Sequence, residues 1–146
     1  MADRATTQSG MFMKVTLGAT SKVLGVSKYE ISGITRRTTD VSEFGVDCDI
    51  FEFNGADGGT ITLSDVSYDP TDPSQATFVA NCQDGVKFIN STTSGPRFWI
   101  NSTSYFTIGT SGTLLMTSAG QISADRNGVA KTKFDAKVSG AFMHLI

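Results

Sequence analysis

The sequence predicts an all-β fold with one short helix. Among its 146 residues, Ser and Thr number 35 and Gly 15, which favours short strands joined by many turns. Leu and Glu, both strong helix formers, number only 9 together. Apolar and polar residues also alternate along much of the chain, as they do in half-buried strands.

The first residues differ from the rest of the chain. Residues 1–10 are polar and lack periodicity, so we expect a flexible N-terminal arm there and a single domain over residues 11–146. Apolar residues alternate over residues 11–17, with Phe12 on the opposite face from its neighbours. Aromatic and β-branched residues then predict a long β stretch over residues 26–41.

Residues 40–59 are expected to form a long loop in which acidic residues alternate with Phe. No basic residue occurs between Arg37 and Lys87, whereas ten acidic residues do. A loop of about twenty residues is unusual inside a compact domain, and exposed Phe side chains on it would favour aggregation. We therefore expect these Phe side chains to be covered, either by their own domain or by another subunit. The acidic residues are Asp40, Glu43, Asp47, Asp49, Glu52 and Asp57, and the phenylalanines are Phe44, Phe51 and Phe53.

One helix is predicted, following a strand over residues 60–68. Asp72 is the expected N-cap, a proline occupies the first helical position, and Gln75 completes a variant of the capping box. Gly85 is suited to end the helix. These signals predict a helix over about 73–83.

The remainder of the chain is predicted as four strands. Asn127-Gly128 indicates a tight hairpin turn between the last two. In the last strand the predicted solvent face carries Lys131, Lys133, Asp135 and Lys137, and the packed face carries Thr132, Phe134, Ala136 and Val138. The four strands are expected over residues 86–90, 97–108, 112–124 and 129–142.

No pattern in the sequence indicates catalysis, a cofactor or a metal site. His144 is the single histidine and has no Cys or His at ligand spacing, and the GxSxG, HExxH and P-loop motifs are absent. We therefore predict a protein that is not an enzyme and uses no cofactor. Cys48 and Cys82 lack CxxC spacing, and a disulfide between them stays open.

Charge and hydropathy argue against two further classes of protein, high-affinity nucleic-acid binders and proteins that insert into membranes. A net charge of -2 disfavours a high-affinity nucleic-acid binder, because such binding needs clustered Lys and Arg. No apolar run approaches the ~20 residues of a membrane helix, and the N-terminus lacks the apolar core of a signal peptide. We expect a protein made in the cytoplasm that does not insert into membranes.

Several sequence stretches, taken in order, carry a resemblance to a known family. They are Ile31-Ser32-Gly33 followed by residues 36–42, Asp57-Gly58-Gly59 before a strand, Tyr68-Asp69-Pro70 before the helix, and residues 134–140 in the last strand. Together, over residues 25–142, they resemble the major tail tube proteins of long-tailed bacteriophages. Where that family often has a larger polar loop before the final hairpin, this chain has only Gly109–Gly112.

The resemblance implies a fold, an assembly and partners. It implies a β-sandwich with one flanking helix, whose inner strands join between subunits into a continuous tube barrel. Hexameric rings would stack into a hollow tube that conducts DNA into the host cell, in a virion tail assembled in the host cytoplasm. The implied partners are copies of itself, the tape-measure protein and other tail proteins, genomic DNA without sequence specificity, and a sheath protein if the tail is contractile.

The resemblance also implies which residues meet neighbouring subunits. The Phe side chains of the long loop would be apolar anchors with an acidic rim, and Arg36, Arg37 or Lys28 of a neighbour would be partners for the acids. The expected subunit and ring interface comprises Phe12, Arg36, Arg37, Asp40, Glu43, Phe44, Asp47, Asp49, Phe51, Glu52, Phe53, Phe142 and Leu145. The expected lumen lining comprises Thr60, Thr62, Ser64, Lys131, Lys133 and Asp135. For the last strand two arrangements stay open: either it presents its lysines to the outside of the tube, or the lining is of mixed sign.

Two other functions stay open. One is a tube protein of a secretion or contractile injection system, which would share the fold. The other is a monomeric β-sandwich that binds a glycan by stacking it on Trp99 and Tyr105.

Overall fold

The described part of the chain consists mainly of β-strands with one short helix, which confirms the predicted fold class. The computed structural model describes residues 13–19, 21–45 and 47–146, so Phe12 and the arm expected over residues 1–10 lie outside the described residues. The strands are β1 (Lys14–Leu17), β2 (Ser21–Lys22), β3 (Lys28–Ser32), β4 (Thr35–Asp40), β5 (Phe51–Asp57), β6 (Thr60–Ser67), β7 (Phe88–Ile89), β8 (Pro96–Trp99), β9 (Tyr105–Ile108), β10 (Thr113–Ser123), β11 (Lys131–Ser139) and β12 (Met143–Leu145), and the helix is α1 (Pro73–Asp84).

The strands form two five-stranded sheets and a separate two-stranded ribbon. The first sheet has the order β12-β9-β8-β1-β2, and the second has the order β3-β6-β11-β10-β7. The strands β4 and β5 pair only with each other within the described chain. All of these pairs are antiparallel.

Both sheets and the helix contribute to one hydrophobic core. The ring of Tyr29 on β3 lies 5.7 Å from that of Phe98 on β8, which joins the second sheet to the first. The helix contributes Phe78, whose ring centroid lies 5.2 Å from Phe134 on β11 and 5.5 Å from Phe88 on β7. The helix therefore closes the core against the second sheet.

The strand β11 alternates between its two faces as predicted. Its side chains at Thr132, Phe134, Ala136 and Val138 are buried, whereas Lys131, Lys133 and Lys137 are exposed and Asp135 is half-buried. This alternation gives the second sheet one face in the core and one polar face.

The helix begins and ends at the predicted caps. The side chain of Asp72 accepts hydrogen bonds from Ser74 N (3.2 Å) and from Leu24 N (3.0 Å). Gly85 ends the helix in the left-handed conformation, with φ of 69°. The N-cap therefore also ties the start of the helix to the segment that follows β2.

The capping box predicted at Gln75 is wrong. Its side chain is buried, and Nε2 donates to the carbonyls of Leu24 (2.7 Å) and Ser67 (3.0 Å), while Oε1 accepts from Asp69 N (3.0 Å). The N–H of Asp72, which a capping box would satisfy, donates to the carbonyl of Asp69 instead. Gln75 therefore joins three segments of the chain rather than capping its own helix.

Two predicted strands are interrupted. Gly33, with φ of 72°, separates β3 from β4 inside the stretch expected over residues 26–41. The stretch expected over residues 97–108 is broken because the side chain of Asn101 accepts from the backbone N–H groups of Thr103 and Ser104 (2.9 and 2.8 Å). These bonds form a local turn between β8 and β9.

The long loop expected over residues 40–59 is wrong for much of its length. β4 and β5 pair from Thr35 opposite Asp57 to Asp40 opposite Phe51, and only residues 41–50 connect them. The alternation of Phe51 and Phe53 with polar residues is therefore strand periodicity. The acidic residues that were expected in a loop lie within or beside a two-stranded β-ribbon that is separate from the second sheet.

Candidate assembly surfaces

The β4–β5 ribbon is exposed along nearly its whole length. Every residue of β4 and every residue of β5 before Asp57 is exposed. Cross-strand pairing sets Thr38 opposite Phe53 and Asp40 opposite Phe51, so both Phe side chains share one face. Phe51 is 57% exposed and Phe53 is 72% exposed. The ribbon therefore presents an apolar face that the described part of the chain leaves largely uncovered.

The ribbon ends in an acidic tip, defined here as residues 41–45 and 47–50. Val41 N donates to Ile50 O (2.8 Å), and Ile50 N donates to Ser42 Oγ (2.7 Å), which closes the tip. Hydrogen bonds from the hydroxyl and the backbone N–H of Ser42 lower the pKa of Asp40. The tip carries Glu43, Phe44, Asp47 and Asp49, all of them exposed.

At the opposite end of the ribbon, the cationic side chains of Arg36, Arg37 and Lys137 line a groove. The Arg36 guanidinium lies 5.1 Å from the ring centroid of Phe53 and 5.1 Å from that of Phe142. Lys137 Nζ lies 2.9 Å from Asp57 Oδ2. The groove, of about 540 Å³, lies between the ribbon and the end of β11, and we call it the base groove. Its lining includes Arg36, Arg37, Asp57, Lys137 and Phe142.

Asp57 is held ionised at this junction. The hydrogen bond from the Lys137 ammonium, followed by the one from the Gly59 backbone N–H (3.0 Å), lowers the pKa of the Asp57 carboxyl. The charge of nearby Arg37 acts in the same direction. Among the described residues that line the groove, Asp57 is the one carboxylate beside three cationic side chains, those of Arg36, Arg37 and Lys137.

The residues expected to line a lumen lie together on the polar face of the second sheet. Asp135 pairs with Thr62 across β11 and β6, and Thr62 Oγ1 donates to Asp135 Oδ1 (3.0 Å). Lys133 Nζ lies 3.9 Å from Asp135 Oδ2, and Lys131 Nζ lies 3.4 Å from Ser67 Oγ. The other members of the set, Thr60 and Ser64, are half-buried on the same strand, β6.

The second sheet is open at both of its edges within the described residues. β3 pairs with β6 alone. At the far edge, β7 covers β10 only at Thr113 and Leu114, so the rest of β10 lacks a partner on that side in the described chain. Such edges can pair with another chain.

The other members of the expected interface set are spread over two places. Arg36, Arg37, Asp40 and Glu52 lie in the ribbon, and Phe142 contacts Arg36 at its base. Leu145 lies instead on β12, an edge strand of the first sheet, where it is 54% exposed. The structure thus brings most of the set together at the ribbon and places Leu145 on the first sheet.

Sequence reasoning missed two arrangements. It did not foresee the Asp57–Lys137 pair, although the exposure of Lys137 followed from the alternation of β11. It also missed that Lys14 lies over the ring of Trp99 (4.9 Å), while Trp99 Nε1 donates to Thr16 Oγ1 (2.8 Å). The indole considered as a glycan platform is therefore engaged by side chains of its own sheet.

The described residues include Cys48 and Cys82, which are not bonded to each other. The part of the chain that the structure describes contains no group of three or more His, Cys, Asp or Glu side chains able to hold a metal ion. Cys48 is an exposed free thiol at the ribbon tip, and Cys82 is a half-buried free thiol on the helix. Among the described residues there is no helix with the length and apolarity needed to cross a bilayer.

Comparison with solved structures finds the same fold in large assemblies. A chain from the virion of a native gene transfer agent particle superposes with a TM-score of 0.66 at 16% identity, over 94% of this chain and 99% of that one. A chain from the sheath–tube complex of an extracellular contractile injection system (PVC, extended state) superposes with a TM-score of 0.60 at 14% identity, over 92% and 89%. No family model and no curated protein matches the chain. At these identities the likeness shows a shared fold.

Proposed function

We propose that this protein is a structural subunit of a phage tail tube, forming stacked hexameric rings whose lumen conducts DNA. The exposed ribbon carries this proposal. An isolated two-stranded ribbon is marginally stable in water, and this ribbon also exposes the rings of Phe51 and Phe53 to solvent. A second copy that covered them would remove the apolar area from water and hold the ribbon in place.

The open edges of the second sheet support closure into a ring. If β3 of one copy paired with the uncovered part of β10 of the next, the sheet would continue from copy to copy. Such closure satisfies the backbone groups of both edges. The first sheet and the helix already cover the apolar face of this sheet, so its polar face would line the bore.

A bore of this kind would carry mixed charge. Lys131 and Lys133 lie beside Asp135, and Thr60, Thr62 and Ser64 supply small polar side chains between the charges. Passing DNA would then meet short-range contacts of both signs, without the dense array of cations that produces tight phosphate binding.

The same proposal extends to domain organisation, location and partners. Residues 11–146 would act as one assembling unit, with the arm over residues 1–10, Phe12 and Leu145 as further contacts to neighbouring copies. The subunit would have no enzymatic role. It would lie in a virion tail assembled in the host cytoplasm, around the tape-measure protein and next to other tail proteins, including a sheath protein in a contractile tail.

Electron microscopy of the purified full chain tests the proposal. Negatively stained protein at high concentration should form six-fold rings or hollow rods of constant bore, and light scattering should report masses that are multiples of six subunits. A chain that stays monomeric at high concentration, with the ribbon ordered against its own body, would refute the proposal.

A second candidate is a tube subunit of a contractile injection system. The likeness to a chain from the sheath–tube complex of such a system supports it. The two candidates predict the same rings. The neighbouring genes separate them, because capsid and terminase genes would accompany a phage tail and secretion genes an injection system.

A further inference from the structure

Asparagine followed by glycine occurs twice in the chain, at Asn54-Gly55 and at Asn127-Gly128. In this dipeptide the backbone nitrogen of the glycine can attack the asparagine side chain, because glycine has no Cβ that would obstruct ring closure. The two dipeptides lie in different structural settings. We propose that Asn127 is a site of spontaneous deamidation, and that the ribbon protects Asn54, although Asn54 has the same neighbour.

Asn127 lies in an exposed loop that connects β10 to β11. The loop covers residues 124–130, and residues 122–129 are all exposed. A hydrogen bond from Gly128 N to Asp125 O (3.0 Å) sets Asn127 at the third position of a four-residue turn. Within the described part of the chain, the Asn127 side chain has no hydrogen-bond partner. Its amide carbon is therefore free to approach the Gly128 nitrogen once the turn opens.

Asn54 lies inside β5, and its side chain is held in place. Asn54 Nδ2 donates a hydrogen bond to Thr39 Oγ1 on the paired strand β4. On either side of this dipeptide, Phe53 and Ala56 pair with residues of β4. Ring closure at Asn54 therefore requires that the side-chain hydrogen bond break and that the strand pairing open, which is a larger change than the opening of one turn.

The reaction at Asn127 needs only water as a co-reactant. The Gly128 backbone nitrogen loses its proton and bonds to the side-chain carbonyl carbon of Asn127, and the C–N bond of the side-chain amide breaks to release ammonia. Water then opens the cyclic imide at either carbonyl and leaves aspartate or isoaspartate. Either product adds one negative charge to a chain whose formal net charge is -2. The reaction occurs within one molecule, so this inference does not depend on the proposed function.

Peptide mapping of the purified full chain tests the site. After incubation in mildly alkaline buffer, mass spectrometry should show conversion at Asn127 about tenfold faster than at Asn54. A tenfold ratio corresponds to about 1.4 kcal/mol, which lies within the range of one hydrogen bond. Anion exchange should resolve the product by its added negative charge. Equal rates at the two sites, or faster conversion at Asn54, would overturn the proposal.

Two substitutions act on the two sites separately. Gly128→Ala keeps the amide of Asn127, adds a Cβ beside the attacking nitrogen and should slow conversion at Asn127 about tenfold. The added Cβ would lie 3.5 Å from Asp125 Cβ, an ordinary contact distance, so the variant should fold. Thr39→Val removes the acceptor of the Asn54 amide and should speed conversion at Asn54 while the rate at Asn127 stays the same.

The chain unfolded in urea is the control for the effect of sequence. Asn54 and Asn127 should convert at similar rates there, because the ribbon and the turn are both lost. A difference that persists in urea would show that the neighbouring residues set it, and this would overturn the role of the fold. Conversion at Asn127 that Gly128→Ala leaves unchanged would overturn the attack by the Gly128 nitrogen, and an unchanged Asn54 in Thr39→Val would overturn the protection by its hydrogen bond.

Discussion

Replacing Phe51 by Asp distinguishes a ribbon covered by another copy from a ribbon that needs no cover. Phe51 is 57% exposed in the single chain. Burying a whole Phe side chain stabilises by about 1.5–3 kcal/mol, so covering the exposed part would contribute about 1–2 kcal/mol per copy. That loss alone lowers the association constant roughly tenfold, and an unpaired carboxylate in the contact lowers it further. In the separate copy the new side chain is exposed, and the free energy of unfolding should change by less than about 0.5 kcal/mol.

Two measurements on the same samples test this expectation. Sedimentation should show that Phe51→Asp raises the concentration at which rings and rods form, while urea unfolding of the dilute protein stays unchanged. The comparison variant is Phe88→Ala, whose buried ring should cost about 3–5 kcal/mol of folding stability. The reasoning fails if Phe51→Asp assembles normally, or if it destabilises the dilute monomer by 2 kcal/mol or more.

Three further substitutions follow from single side chains. Thr132 Oγ1 is buried without a hydrogen-bond partner among the described residues, so Thr132→Val should raise the free energy of unfolding by about 1 kcal/mol. Thr107→Val removes the buried hydrogen bond from Thr107 to the Pro96 carbonyl and should lower the free energy of unfolding by a similar amount. Urea unfolding measures both changes. Asp72→Ala should cost about 1–2 kcal/mol and loosen the helix start in amide exchange, because two backbone N–H groups lose their acceptor. Since Lys137 holds the pKa of Asp57 below its usual value, the pair stabilises the fold above about pH 4 and loses that effect as the pH falls through the folded pKa. Asp57→Asn should therefore be less stable than the unmodified protein at pH 7, and this difference should shrink as the pH falls toward 2. An equal difference at both pH values would contradict this assignment.

Local sequence patterns predicted those features that a few neighbouring residues determine, namely the helix caps and the two faces of β11. The helix caps at Asp72 and Gly85 are chemical signals contained in a few residues, and the structure has both. The alternation over residues 131–139 set the buried and exposed faces of β11 without knowledge of its neighbours. Such features depend on backbone geometry that each short stretch specifies for itself.

Features that depend on distant partners were not predictable in the same way. Gln75 has the position of a capping-box residue. Its side chain instead makes three hydrogen bonds, to the carbonyls of Leu24 and Ser67 and from the N–H of Asp69. The segment over residues 40–59 has acidic and glycine-rich composition, which favours a loop, and its strand pairing depends on β4. The base groove likewise required knowledge that the end of β11 lies beside the ribbon, which no local pattern contains.

Two different contacts between copies are needed to make a tube, and the chain offers surfaces for two. The open edges of β3 and β10 are dissimilar, and so are the acidic tip and the base groove. A contact between dissimilar surfaces that closes gives a ring, and one that does not close adds copies without limit. If the edges close the ring and the ribbon stacks the rings, the two contacts can be lost separately. Arg37→Glu should then leave isolated rings, seen as single discs by negative-stain microscopy, at concentrations where the unmodified protein forms rods. Loss of rings and rods together in that variant would mean that the base groove serves lateral closure, and the assignment of the two contacts would have to be exchanged.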